Sequence, residues 1–98
     1  MLIVHNTIIG VKYGLGEIGK KCSDSQMHDI QIHQCHDAHD EIKKKYPDTS
    51  VGISERDSWP DRPKGCYLLL TNRKLYWNSH QFGRSSNNAL SVCRTKGI

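Results

Sequence analysis

No long hydrophobic run is present in the 98-residue chain; nothing in it approaches the roughly 18 apolar residues that a membrane span needs. Met1-Leu-Ile-Val is broken at once by His5 and Asn6, so the start does not read as a secretory segment. Aromatic residues are few, at four Tyr, two Trp and one Phe. The Asn-x-Ser/Thr glycosylation pattern is absent: Asn6-Thr7-Ile8, Asn78-Ser79-His80 and Asn87-Asn88-Ala89 all fail it. A continuous basic stripe of the kind that nucleic acid demands is also missing, because the 14 basic and 10 acidic residues are interleaved despite the net charge of +4. The one dense run, Lys43-Lys44-Lys45, follows Asp37, Asp40 and Glu41 at the i,i+4 spacing of a solvated helix end. With 36% hydrophobic residues and a mean hydropathy of -0.66, the chain has material for one thin core. A transporter, a barrel, a doubly wound enzyme and a two-domain protein are excluded.

Four cysteines are present: Cys22, Cys35, Cys66 and Cys93. An even number in so short a chain fits a two-disulfide staple. The tight C-x2-C spacing of structural zinc is lacking, and Gln34-Cys35-His36 is not a haem-attachment motif. Three pairings are possible. If Cys35 lies inside a helix and Cys22 lies before its start, joining those two would fold the chain back over its own first turns. That favours Cys35–Cys66 with Cys22–Cys93. Paired cysteines imply an extracellular or otherwise oxidising compartment, whereas the missing signal segment leaves open a cytosolic protein with reduced thiols.

Residues 1–21 read as an N-terminal arm, with strand-like Leu2-Ile3-Val4 and Ile8-Ile9-Gly10-Val11 before Gly14, Gly16 and Gly19 break any regular element. Residues 22–98 read as the four-cysteine domain. From about Gln26 to Tyr46 the period is helical, with Ile32, Cys35, Ala38, His39, Ile42 and Tyr46 on one face and Pro47 as the stop. Asp48–Lys64 reads as a long loop anchored by Trp59. Cys66–Thr71 and Lys74–Asn78 read as a hairpin turning at Asn72-Arg73, and Ala89–Arg94 as a last strand. The expected fold class is therefore α+β: one amphipathic helix (about 26–46) packed on a small antiparallel sheet, with two disulfides.

Gly14-Leu-Gly16-Glu-Ile-Gly19 matches G-x-G-x-x-G, but Lys20-Lys21-Cys22-Ser23 does not open a helix, so a dinucleotide site lacks its context. The histidines are the most unusual feature. At helical spacing Asp29, His33, His36 and Asp40 fall within roughly a 60° arc, which offers His33, His36 and Asp40 as weak zinc ligands. The bland reading is a polar helix surface with no cofactor. His39 points to the apolar stripe, where a carbonyl partner is expected. Trp59, Trp77, Tyr76 and Phe82, with Tyr67, offer an aromatic face for stacking, and Asn78 a polar neighbour. Neither G-x-S-x-G nor a Ser/His/Asp order is evident.

Trp59-Pro60, Lys64-Gly65-Cys66-Tyr67, Leu75-Tyr76-Trp77-Asn78 and Val92-Cys93-Arg94 resemble a small four-cysteine domain that recurs in predicted proteins of algae, protists and marine animals. The likeness covers about residues 22–94. It implies an oxidised, extracytoplasmic module with paired cysteines, often appended to larger secreted or surface proteins, and it supplies no catalytic residue. The family helix tends to be alanine-rich, whereas this one is rich in histidine and charge. The functional expectation is a non-catalytic binding or structural module that contacts a glycan or protein partner through its aromatic loop and Ser79–Asn88, with no nucleic acid and no membrane span. The alternatives are a small metal-binding protein using the histidine helix, and an accessory subunit of a larger assembly.

Overall fold

The apolar stripe folds as expected into one helix, α1 (Ile32–Lys45), which buries Cys35, Ala38 and Ile42. The structure, a computed structural model, describes residues 12–95, so the strands expected within residues 1–11 lie outside the described residues. α1 starts later than its sequence pattern predicts. Gln26 takes a left-handed φ of 59° that closes a 3-10 turn, Cys22–Ser25, and His28 is drawn into a reciprocal backbone bridge with Arg94 at 2.9 and 2.8 Å. The Gln31 N–H donates to Gln34 Oε1 at 2.8 Å, which meets one orphan donor at the helix start. The Tyr46 N–H still reaches the Ile42 carbonyl at 2.8 Å, and Pro47 ends the run.

The strands are β1 (Tyr13–Leu15), β2 (Ser50–Val51), β3 (Gly65–Leu69), β4 (Lys74–Asn78) and β5 (Ala89–Arg94), in the order β1-β5-β3-β4-β2. Three pairings are antiparallel, but β2 runs parallel to β4, so the sheet is mixed rather than wholly antiparallel. The cause is the return of the chain after Pro47: the Ser50 N–H donates to the Arg73 carbonyl at 3.0 Å and the Gly52 N–H to Leu75 at 2.8 Å. Gly14 does not break a strand; it sits in β1, opposite Cys93. The β3–β4 turn takes Leu70–Arg73 rather than two residues, because Leu69 pairs with Lys74. Arg73 adopts a φ of 54°, which favours glycine. Its guanidinium lies 4.7 Å from the Tyr46 ring and 3.1 Å from Asp48, contacts that help to hold the turn.

Strand alternation sends Cys66, Leu68, Leu75, Leu90 and Val92 into one core with α1. Tyr67, Tyr76, Asn78, Ser91 and Cys93 fall on the other face. There Cys93 meets the 3-10 turn through Cys22, and Trp59 packs edge-on against Tyr67 and Tyr76, with centroids at 6.3 and 5.9 Å. Each face thus carries one covalent staple: Cys35–Cys66 on the helix side and Cys22–Cys93 opposite, the pairing preferred from the sequence. No helix among the described residues is long and apolar enough to cross a membrane.

Tyr67 gives this packing a pH signature. Burial pushes its phenol above the ordinary value, opposed by the hydrogen bond that Arg62 Nη1 donates to its oxygen at 3.1 Å. The unfolded chain therefore releases this proton first, so Tyr67 contributes stability below about pH 10 that is lost as pH climbs through the folded value. Urea midpoints between pH 8 and 11 should fall more steeply for the native protein than for Tyr67→Phe; parallel curves would refute this.

Candidate functional site

Asn78 organises the loop that caps β4. Although sequence reading offers it as a contact residue, its side chain is 1% exposed and committed internally. Its Oδ1 accepts from the Trp59 N–H at 2.7 Å and the His80 N–H at 3.1 Å. Its Nδ2 donates to the carbonyls of Trp59 at 2.7 Å and of Arg62 and Pro63, both at 3.0 Å. A buried amide with both oxygen lone pairs and both N–H protons engaged, one proton shared between two carbonyls, positions its surroundings and leaves no group for a ligand.

The aromatic residues do not form one face. Tyr67 and Tyr76 stack with centroids 5.6 Å apart, and Trp59 lies edge-on to both while the Arg62 guanidinium covers its ring at 4.7 Å. The three rings pack on one another, with Trp59 and Tyr76 half-buried. Trp77 points to the opposite face and leans on the core beside α1. Phe82 stands apart and is 77% exposed.

A solvent-exposed phenylalanine ordinarily moves freely, but this one sits on a fastened loop. His80 Nδ1 accepts from the N–H groups of Phe82 at 3.2 Å and Gly83 at 3.0 Å, which requires its ring proton on Nε2. The Arg84 N–H donates to the Arg62 carbonyl at 2.7 Å. Gly83, with a φ of 52°, sits so close to the neighbouring backbone that a Cβ would lie 2.6 Å from the Lys64 nitrogen. The loop is pressed onto Arg62–Lys64, and Phe82 and Arg84 are delivered beside Lys64.

These elements frame a cleft around the end of the sheet where β3 begins and β4 finishes. One basin, of about 270 Å³, lies between the 3-10 turn and the Phe82 loop; its lining includes Lys21, Ser23, Lys64, Gln81, Phe82 and Arg84. The second, of about 330 Å³, lies toward the start of α1 and is lined by Ile30, Gln31, Cys66 and Trp77 among others. Cys22, Asp29 and Lys64 line both basins, which makes them neighbours along one groove. Asp29 is the carboxylate of the lining, against the cations Lys21, Lys64 and Arg84. Two ion pairs are formed among the described residues, Lys44–Glu41 and Arg73–Asp48, and neither involves these three.

Of the aromatic residues singled out from sequence, Phe82 and Trp77 line the groove, whereas Trp59 and Tyr76 line neither basin. Lys21, Lys64 and Arg84 were not legible as a set, since they lie far apart in the chain and meet through tertiary contacts such as the Cys22–Cys93 staple, the Gly83 contact and the Arg84–Arg62 hydrogen bond.

The expected histidine arc is only partly assembled. His33, His36 and Asp40 are exposed on α1, but Asp29 lies before the helix and turns to the cleft. No group of three or more His, Cys, Asp or Glu among the described residues is arranged to hold a metal ion. His39 Nε2 lies 2.9 Å from the Thr49 carbonyl, the partner expected of a half-buried histidine. All four cysteines are in disulfides, so none is available as a thiolate nucleophile. No protein-family model matches the chain, and neither the curated proteins nor the solved structures contain a match to it.

Proposed function

We propose that the chain is a non-catalytic, disulfide-stapled binding module whose contact surface is the groove at the sheet end. The observation that carries this reading is Phe82, an apolar ring held out in solvent by a loop whose backbone is fixed at His80, Gly83 and Arg84. A ring whose backbone is fixed before its partner arrives has only its side-chain torsions left to lose on contact, which is how exposed aromatics serve recognition. The groove offers one carboxylate and no thiol, a poor inventory for acid–base or nucleophilic chemistry and an ordinary one for recognition. Its partner is a glycan or protein met in an oxidising, extracellular setting, with which both disulfides are compatible.

The test is a panel of immobilised neutral and acidic glycans and peptides, read with the native protein and with Phe82→Ala. Retention of at least one ligand is expected, with affinity falling about tenfold or more in Phe82→Ala and no change in its urea midpoint. Trp59→Ala should do the reverse, lowering the midpoint while a ligand is still retained. An empty panel, or a ligand indifferent to Phe82, would overturn the reading.

A further inference from the structure

We propose that the occupant of the groove is an acidic oligosaccharide, its sulfate or carboxylate groups on Lys21, Lys64 and Arg84 and one sugar ring against Phe82. This deepens the binding reading above and rests on it.

Three observations carry the assignment. First, three cations from three separate segments, Lys21 just before the 3-10 turn, Lys64 just before β3 and Arg84 in the Phe82 loop, converge on one basin without forming an ion pair among the described residues. Like charges gathered in a concave wall repel one another unless an anion joins them, so their convergence favours a ligand of negative charge. Second, the lining of the same basin includes Ser23, Ser85 and Gln81, side chains that both donate and accept. Sugar hydroxyls, which both donate and accept, pair with such groups; a peptide's backbone can use them too, so the choice between the two falls to the ring face and the titration below. Third, the exposed face of Phe82 matches the C–H face of a pyranose ring, the apolar side of an otherwise polar molecule. The two basins follow one another along the groove with Trp77 in the second, which suits a linear chain of rings better than a single compact anion. Asp29, at the join, is placed to accept from hydroxyls and to reject an anionic group at that position.

The experiment is calorimetric titration of the disulfide-bonded protein at physiological salt with a heparin-derived hexasaccharide, with cellohexaose, and with hexaglutamate. The sulfated hexasaccharide should bind, and the other two should bind at least about tenfold more weakly. Affinity for it should fall about tenfold or more in Lys64→Ala/Arg84→Ala, and several-fold in Phe82→Ala. Lys21→Glu, on the opposite wall, supplies an independent charge change if Arg84 is needed for folding. Absence of binding, equal binding of hexaglutamate, or an affinity unmoved by these substitutions overturns the proposal. If the hexasaccharide is silent while a neutral glycan or a peptide of the panel is lost in Phe82→Ala, the binding reading stands and the acidic-saccharide assignment falls.

Discussion

Replacing Cys22 and Cys93 with alanine should cost about 4 kcal/mol of stability, and replacing Cys35 and Cys66 nearly the same, although the bridged spans differ greatly. The sequence separations are 71 and 31 residues, and on length alone the outer bridge should matter more. The bridges are nested, however. With Cys35–Cys66 closed, the outer loop of the unfolded chain is shortened by the inner span, and closure entropy depends only logarithmically on what remains. Removing both pairs should leave the chain unfolded at 37 °C, because so thin a core cannot offset the conformational entropy of folding. Urea unfolding followed by tryptophan fluorescence and near-ultraviolet dichroism checks both statements. A four-alanine variant that kept native dichroism and a cooperative transition would show that the noncovalent core suffices.

Asn78→Leu is the second large effect expected. The substitution nearly preserves volume, so the cost comes from polar groups rather than from a cavity. It strands the N–H groups of Trp59 and His80 and the carbonyls of Trp59 and Pro63, while the Arg62 carbonyl keeps the Arg84 N–H, at a site where the side chain is 1% exposed. With partial rescue by water, the loss should be about 3–4 kcal/mol. The same change should free the Phe82 loop, since His80 is held through Asn78. Hydrogen exchange at Phe82 and Gly83 should accelerate by more than global destabilisation explains. Uniform acceleration across the chain would contradict the positioning role assigned to Asn78.

Local rules carried much of the fold and little of the groove. The stripe Cys35, Ala38, Ile42 repeats with the helix, and the alternation of Leu75 and Trp77 repeats with a strand; both patterns survive because each faces the core. The steric argument about a helix excludes only Cys22–Cys35, one of three pairings; the choice of Cys35–Cys66 with Cys22–Cys93 rests on tying helix to strand and start to end. The start of α1 was misplaced because residues 26–31 fit the helical period, yet a distant strand holds His28 in an extended bridge. Gly14 seemed a breaker, but pairing with β5 supplies what its own propensity does not. The parallel β2 has only two residues, too few to leave a period. The groove was invisible for a different reason: its cations belong to segments with no common pattern, joined by tertiary contacts.

The place of β5 has a consequence for synthesis. It is the last of the five strands to be made, yet it lies between β1 and β3. Until Ala89–Arg94 has left the ribosome, β1 has no strand among the described ones to pair with, the edge of β3 stays open, and Cys22 lacks its partner. At about 5–20 residues per second, the nascent chain therefore spends seconds with three thiols and an unpaired strand edge exposed together. In the unfolded chain the shortest loop is the cheapest to close, so loop entropy alone favours Cys22 with Cys35 over either native pair. All four cysteines are buried once the sheet closes, so a pairing of that kind has to be undone by thiol exchange while β5 is still undocked.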